Sequence, residues 1–296
     1  MEQSWREIDD YLTSCLRHLP PSLRAEAMAA LRMGDHPQWQ DLRPSRRAKV
    51  GAKGGLWSAS LLGGTLSLDS LTYRVYAAAD YDDFLRRYLR VLFGWAFDDL
   101  SKTGLSASNA VSAVLRAHVK ECRQRKEKGH IHTVTTLGLT PAIGVDSCML
   151  PQAIQVDCLE SCDGSHADIA LTIMGKPAIR LPESYWPSFS ARVVVAIFAE
   201  KVGEMVDVSD VVERGNRQMH GIDRFVDIKT TGGTFRIQSE EAFLVAIGEA
   251  RVLNYSTDLP PLRAGLHFNL SNNLRGTNFS MWNEGSLTYH FKVYRL

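Results

Sequence analysis

FVDIKTTGGTFRI, residues 225–237, is the stretch of sequence that decides the fold. Two runs rich in apolar and β-branched residues, 225–228 and 235–237, flank a Gly232-Gly233 pair. A Gly-Gly pair between two such runs is typical of a tight hairpin turn. The stretch therefore predicts two antiparallel strands.

Towards the C-terminus the pattern predicts one short helix and three further strands. Ser239 is suited to capping a helix over 240–252. The segments GLHFNLS, TNFSMW and SLTYHFKVYRL predict a three-stranded meander. Apolar residues alternate in the first and last of these segments, which predicts one buried face for each: Leu266, Phe268, Leu270, Leu287, Tyr289, Phe291 and Val293.

On the N-terminal side of the hairpin, the pattern predicts further strands and two helices. Short β-branched runs at 130–140, 153–159, 167–174 and 192–199 predict strands, and Leu56–Ala79 predicts two more around Gly63-Gly64. Asp80 and Ser106 are suited to capping helices over about 80–100 and 106–122.

The chain is predicted to divide into three parts. Residues 1–34 form an N-terminal helical pair, residues 35–55 a basic flexible arm, and residues 56–296 an α+β body with a soft boundary near 128–131. The predicted fold class is α+β, with a helical N-terminal part followed by a largely antiparallel, β-rich C-terminal part.

Composition and cysteine usage predict an intracellular protein, cytoplasmic or nuclear and not secreted. The formal net charge is +1, so bulk charge does not favour a polyanion partner. The first twenty residues carry acids where a signal peptide carries basic and apolar segments, and no apolar run is long enough to cross a membrane. Five widely spread cysteines favour reduced thiols: Cys15, Cys122, Cys148, Cys158 and Cys162.

One cysteine–histidine cluster has the residue types of a zinc site. Cys158, Cys162 and His166 follow one another at four-residue steps, with Cys148 upstream. Thiolates and imidazoles are good zinc ligands, but closed zinc sites usually show tighter pairs. The alternative is an exposed turn with incidental cysteines. His130 and His132 share one face of a predicted strand without a third ligand, and the sequence predicts neither a metal nor another cofactor.

Residues 166–181 resemble part of a restriction-endonuclease-like nuclease. Asp168 stands where such enzymes place a metal-binding acid on the first strand of a hairpin. Arg180 and Pro182 stand where the second carboxylate and the lysine belong, so the metal lacks hard ligands. The segment therefore predicts a plain hairpin, and no catalytic residue is assigned.

A basic segment is the strongest candidate for binding. Five cations without an acid lie between residues 43 and 53, namely Arg43, Arg46, Arg47, Lys49 and Lys53. Such a segment is suited to contacting phosphates, although a solvated loop explains it equally well. A second cluster over 120–128 is diluted by Glu121 and Glu127.

These patterns favour a non-enzymatic structural or interaction protein whose arm contacts nucleic acid or an anionic membrane surface, with homo-oligomerisation left open. A viral capsid, matrix or assembly role is one special case. Pro182-Glu183 followed by Ser184 and Tyr185 resembles matrix proteins of negative-strand RNA viruses, over a handful of residues that transfer no site. The alternative class is a metal-dependent hydrolase or nuclease with an unfamiliar site.

Overall fold

A computed structural model describes residues 40–41, 59–89, 94–210, 215–276 and 280–296. The first half of the chain contains β1 (Gln40–Asp41), β2 (Ala59–Leu61), β3 (Leu66–Val75), α1 (Ala78–Tyr88), α2 (Gly94–Leu100), β4 (Ala113–Arg116), β5 (His118–Glu127) and β6 (His130–Gly138). The second half contains β7 (Ala153–Ser161), β8 (His166–Lys176), β9 (Glu183–Ala191), β10 (Val194–Lys201), β11 (Glu204–Asp207), β12 (Met219–Gly221), β13 (Phe225–Thr230), β14 (Gly233–Ser239), β15 (Leu244–Ile247), β16 (Leu266–Asn269), β17 (Ser271–Asn272) and β18 (Gly285–Arg295).

Ten strands form sheet A, in the order β1-β5-β6-β7-β8-β18-β14-β13-β10-β11. Neighbouring strands are antiparallel throughout. The burial of β8 alternates, with Ala167, Ile169 and Leu171 buried and Asp168 exposed. This two-residue period places one face of the sheet in the core and the other in solvent.

Eight strands form sheet B, whose main order is β12-β15-β16-β9-β3-β2. Two further strands lie outside this order, since β17 pairs with β9 and β4 pairs with β3. Residues 183–189 of β9 are buried on both faces, unlike those of β8. Tyr185 and Phe189 of β9 belong to the core between the sheets, and Ser184 forms a buried hydrogen bond with the hydroxyl of Tyr76.

The main core lies between the two sheets. It joins Phe189 of β9 and Phe268 of β16 to Phe291 of β18, which brings residues of both sheets into one apolar cluster. A second, smaller cluster forms around α1, where Tyr81, Phe84 and Leu85 are buried. The described residues therefore form a two-sheet β-sandwich with little helix.

The α+β prediction is wrong for the described residues, and two predicted helices explain the error. Residues 106–122 contribute β4 and the start of β5, because Leu115 and Ala117 alternate with exposed Val114 and Arg116. Residues 240–252 contain β15 instead of a helix, with Val245 and Ile247 buried. Both segments contain β-branched residues, whose stiff side chains favour strands.

Other predicted elements are present in part. The hairpin at 225–237 is confirmed as β13 and β14, and the strands around Gly63-Gly64 are confirmed as β2 and β3. The predicted C-terminal meander is wrong, because β16 lies in sheet B and β18 in sheet A. The predicted apolar faces are nevertheless confirmed, since Phe268, Phe291 and Val293 are fully buried.

Some predictions lie outside the described residues. The helical pair at 1–34 and the arm at 35–55 are not described, apart from the two residues of β1, and their boundaries stay predictions. Residues 128–129 form the turn between β5 and β6 of sheet A. Within the described ranges, no helix has both the length and the apolar character needed to cross a bilayer.

Candidate functional site

A groove of about 450 Å³ opens where the first residue of β15, the last of β16 and the beginning of β18 come together. Its polar side chains are those of Glu241, Asn269, Ser271, Asn272, Asn283 and Tyr289. Its apolar side chains are those of Phe243, Leu244, Leu270 and Leu287. We call this surface the amide groove.

Three asparagines give the groove its hydrogen-bonding character. Asn272 Nδ2 donates to Asn269 Oδ1 at 2.7 Å, and Asn283 Nδ2 donates to Ser271 Oγ at 2.9 Å. Asn269 is 6% exposed, and its Nδ2 group has no hydrogen-bond partner among the described residues. A buried amide without a partner is costly, so the hydrogen bonds of the groove wall are incomplete at Asn269.

Glu241 is the carboxylate that lines the groove. His290 holds it in place: the backbone N–H of His290 donates to Oε2 at 3.0 Å, and Nδ1 of its ring lies 2.7 Å from Oε1. Burial opposes ionisation of Glu241, but the hydrogen bonds with His290 outweigh it and lower the pKa. Glu241 is therefore ionised at neutral pH and acts as an acceptor.

Tyr289 adds a hydroxyl to the inner wall. Burial raises the pKa of this hydroxyl, although its hydrogen bond with Ser271 acts in the opposite direction. It therefore stays protonated at neutral pH, where it can both donate and accept.

A buried ionic cluster borders the groove. Lys176 of β8 pairs with Glu183 of β9, and the two side chains are 1% and 2% exposed. Tyr73 Oη donates to Glu183 Oε2 at 2.8 Å. Burial raises the pKa of Glu183, although Lys176 acts in the opposite direction, and burial lowers the pKa of nearby Lys102 to about 8.

A smaller cleft of about 140 Å³ is a weaker candidate site. Its two guanidinium groups are already paired, since Arg74 lies 2.6 Å from Glu249 and Arg251 lies 2.8 Å from Asp80. Asp80 also accepts a hydrogen bond from Ser112. Acids therefore balance both arginine charges, although the Nε–H groups of Arg74 and Arg251 have no hydrogen-bond partner among the described residues.

The structure does not bring the proposed zinc ligands into a metal site. Cys158 lies on β7, Cys162 is exposed in the turn after it, and His166 begins β8. Burial raises the pKa of the Cys158 thiol to about 12, which disfavours the thiolate that binds zinc. Over the residues that the structure describes, no group of three His, Cys, Asp or Glu side chains is arranged to hold a metal ion.

The two histidines of β6 have separate partners. The ring of His130 lies 5.9 Å from that of His166, measured between centroids, whereas His132 Nε2 lies 2.6 Å from Asp157 Oδ1. They therefore do not act together.

The plain hairpin predicted for residues 166–181 is wrong. β8 and β9 belong to different sheets, and residues 177–182 between them form no strand. Asp168 is exposed on β8 and faces Leu159 and Lys292 on the adjacent strands. Lys176, the last residue of β8, is buried in the ionic cluster.

The predicted polyanion-binding residues lie outside the described residues. Arg43, Arg46, Arg47, Lys49 and Lys53 belong to the range 42–58, and their contact with nucleic acid or an anionic membrane stays a prediction.

Sequence reasoning missed the groove residues. Glu241 falls in the predicted helix over 240–252, Asn269 in the predicted strand GLHFNLS, and Asn272 in the connection that follows it. The available signal was the density of asparagine after β16, with Asn269, Asn272, Asn273, Asn278 and Asn283 within fifteen positions.

No known protein family matches this sequence, and no curated protein matches it either. Among solved structures, the chain is similar to an alpha-mannosidase from Enterococcus faecalis V583, with a TM-score of 0.46 and 9% identity over 81% of this chain. The chain spans only 28% of that protein. It is also similar to a protein assigned as an aldose 1-epimerase from Escherichia coli K12, with a TM-score of 0.28 and 11% identity over 60% of this chain and 69% of the other.

These comparisons give no support to the functional prediction. Both proteins are named as enzymes, and neither is named as a viral, structural or nucleic-acid-binding protein. The prediction of a non-enzymatic structural or interaction protein, with a viral role as its special case, is corrected to that extent and is not proposed again. At these TM-scores the two names describe those proteins and assign no activity to this chain.

Proposed function

We propose that the amide groove binds a neutral, polyhydroxylated small molecule, of which a saccharide is the main chemical class. The observation that carries this proposal is the unpartnered, buried Asn269 amide beside two further asparagines. Amides and hydroxyls both donate and accept hydrogen bonds, which suits ligand hydroxyl groups with the same double capacity.

The charge of the groove supports a neutral ligand. Glu241 is its carboxylate, and among the residues that the structure describes no lysine or arginine lines the groove. An ionised carboxylate accepts hydrogen bonds from ligand hydroxyls and repels a phosphate or a carboxylate. Anionic ligands are therefore disfavoured.

The apolar side chains of the groove support a ligand that also has non-polar surface. Phe243 is 51% exposed and lines the groove together with Leu244, Leu270 and Leu287. Small-molecule sites usually combine such apolar walls with a few placed polar groups, at volumes of about 300–1,000 Å³. The groove has both properties.

The proposal is tested by isothermal titration of the full chain with the methyl glycosides of glucose, galactose and mannose. We expect at least one neutral glycoside to bind, and glucose 6-phosphate to bind more weakly than glucose. Asn272→Ala and Asn283→Ala should each weaken binding roughly two- to tenfold, as expected for one lost hydrogen bond.

Asn109→Ala is the matched control, since Asn109 is exposed and does not line the groove. It should bind as the wild type does. Absence of binding for all three glycosides, or equal affinity of the groove variants and the wild type, would overturn the proposal.

We also propose that the protein resides in a reducing, intracellular compartment. The support is that the cysteines among the described residues, Cys122, Cys148, Cys158 and Cys162, are free thiols. Localisation of a fluorescent fusion to the secretory pathway would contradict this.

A further inference from the structure

One wall of the amide groove is formed by residues 281–283. Buried side chains of the ionic cluster donate hydrogen bonds to the backbone of this wall. Residues 280–284 form no strand, yet they carry the groove residue Asn283. Lys176 Nζ donates to Asn283 O at 2.5 Å, and Lys102 Nζ donates to Met281 O at 3.0 Å. Asn273 Nδ2 donates to Met281 O at 3.2 Å, so three buried donors converge on two carbonyls.

The donors are themselves fixed by sheet B. Asn273 Oδ1 accepts from the backbone N–H of Glu183 at 2.8 Å, and Glu183 also accepts from Tyr73. A continuous set of hydrogen bonds therefore runs from β3 and β9 to the wall at 281–283. The same wall ends at Gly285, which pairs with Lys176 in sheet A.

The buried pair of Lys176 and Glu183 is not explained by stability alone. The desolvation of two charges often equals or exceeds their attraction, so a pair of apolar side chains could hold the sheets at least as well. Apolar side chains cannot satisfy the carbonyls of an irregular segment, whereas an ammonium group offers three donors. Lys176 supplies that property where the wall has no strand partners.

We infer that Lys176 is a positioning residue: paired with Glu183, it fixes the 281–283 wall and thereby places the Asn283 amide for ligand binding. This inference rests on the proposed function. Asn283 Nδ2 lies 2.9 Å from Ser271 Oγ, so a displaced wall separates two of the polar groups that face the ligand.

The first test measures the conformation of the 281–283 wall in the absence of a ligand. Trp282 lies between Met281 and Asn283, whose carbonyls accept the hydrogen bonds, and it is partly exposed. In protein labelled with 5-fluorotryptophan, the ¹⁹F resonance of Trp282 therefore reports on the wall. The test variant is Lys176→Met with Glu183→Gln, which removes both charges together. Its Trp282 resonance should shift and broaden, while that of Trp95 on α2 stays unchanged. Trp282→Phe and Trp95→Phe assign the two resonances.

The second test measures affinity for the methyl glycoside that the wild type binds best. The double variant should bind about tenfold more weakly, in line with the loss of a well-placed hydrogen bond. Arg236→Met with Asp227→Asn is the matched control, because it removes an ion pair elsewhere in sheet A. This control should keep both the Trp282 resonance and the affinity of the wild type.

Lys102→Met serves as a second test variant if the double variant does not fold, and it should perturb Trp282 in the same way. An unchanged Trp282 resonance in folded protein would overturn the inference, as would a changed resonance with wild-type affinity. Absence of glycoside binding by the wild type would refute the proposed function, while the ¹⁹F spectra would still decide whether Lys176 holds the wall.

Discussion

Phe268 of β16 and Phe291 of β18 meet edge to face between the two sheets, with ring centroids 5.2 Å apart. Phe189 contacts both, at 5.7 Å from Phe268 and 5.6 Å from Phe291. Edge-to-face pairs add to the free energy gained by burying the rings. The three rings therefore form a principal contact between the sheets.

Phe291→Ala should lower the free energy of unfolding by about 3–5 kcal/mol, because it removes a buried ring and leaves a cavity between the sheets. Urea denaturation followed by circular dichroism measures this change. Lys292→Ala, on the exposed face of the same strand, is the control and should stay within about 0.5 kcal/mol of the wild type. Equal stability of Phe291→Ala and the control would contradict the described packing.

Lys176→Met alone should destabilise the fold more than the paired change of Lys176 and Glu183. The single change leaves the Glu183 carboxylate buried without its counter-charge, which costs about 3–5 kcal/mol. Adding Glu183→Gln removes that charge and should recover part of the loss. A double-mutant cycle from urea denaturation gives the coupling energy, and additive effects of the two changes would argue against a buried pair.

Stability should fall as the pH decreases from about 6.5 towards 4. Burial lowers the pKa of both His267 and His220 to about 4. In an unfolded chain the pKa of histidine is about 6.5. Between these values the unfolded state binds protons that the folded state excludes, so the free energy of unfolding rises with pH. Each histidine contributes up to roughly 1.4 kcal/mol per pH unit.

His267→Gln should reduce the slope of the free energy of unfolding against pH. The contribution of His220 to that slope should remain. Urea denaturation at half-unit steps from pH 4 to 8 measures the dependence. Above pH 7 the curves of the wild type and the variant should run parallel, which serves as the internal control. A variant with the full wild-type slope would show that His267 is not buried in its neutral form.

Thiol labelling should separate the cysteines by exposure. Cys148 and Cys162 are exposed and should react with iodoacetamide in the native protein. Cys158 is half-buried and should react much more slowly in the native protein than after unfolding, because burial raises the pKa of its thiol to about 12 and the thiolate is the reactive form. Peptide mass spectrometry identifies the labelled sites. Added zinc that protects both Cys158 and Cys162 would instead support the metal site.

Local patterns predicted individual strands better than their arrangement. The Gly232-Gly233 turn made the hairpin of β13 and β14 predictable, because adjacent strands and their turn are encoded in one short stretch. Leu115 and Val119 suit one face of a helix as well as a strand, and only their pairing with distant residues decides between the two. Tyr73 opposite Leu115 in sheet B is such a pairing.

The groove could not be predicted in the same way. Glu241 precedes β15, Asn269 ends β16, and Tyr289 lies on β18 in the other sheet. No fixed sequence spacing links them, because the sandwich alone brings these segments together. Asparagine is also common in turns, so the density of asparagine around 269–283 does not by itself distinguish a binding site from a turn.

The central place of β18 in sheet A has a consequence for biosynthesis. Thr172 on β8 and Thr288 on β18 are hydrogen-bonded neighbours that are 116 residues apart in the chain. On the ribosome, β8 and β14 emerge before β18 and each exposes an unpaired edge until β18 is made. Sheets closed by such distant pairing fold slowly, and open edges can pair with other chains. Sheet A therefore completes its fold only after residues 285–295 leave the ribosome, and the nascent chain before that point is the form most exposed to aggregation.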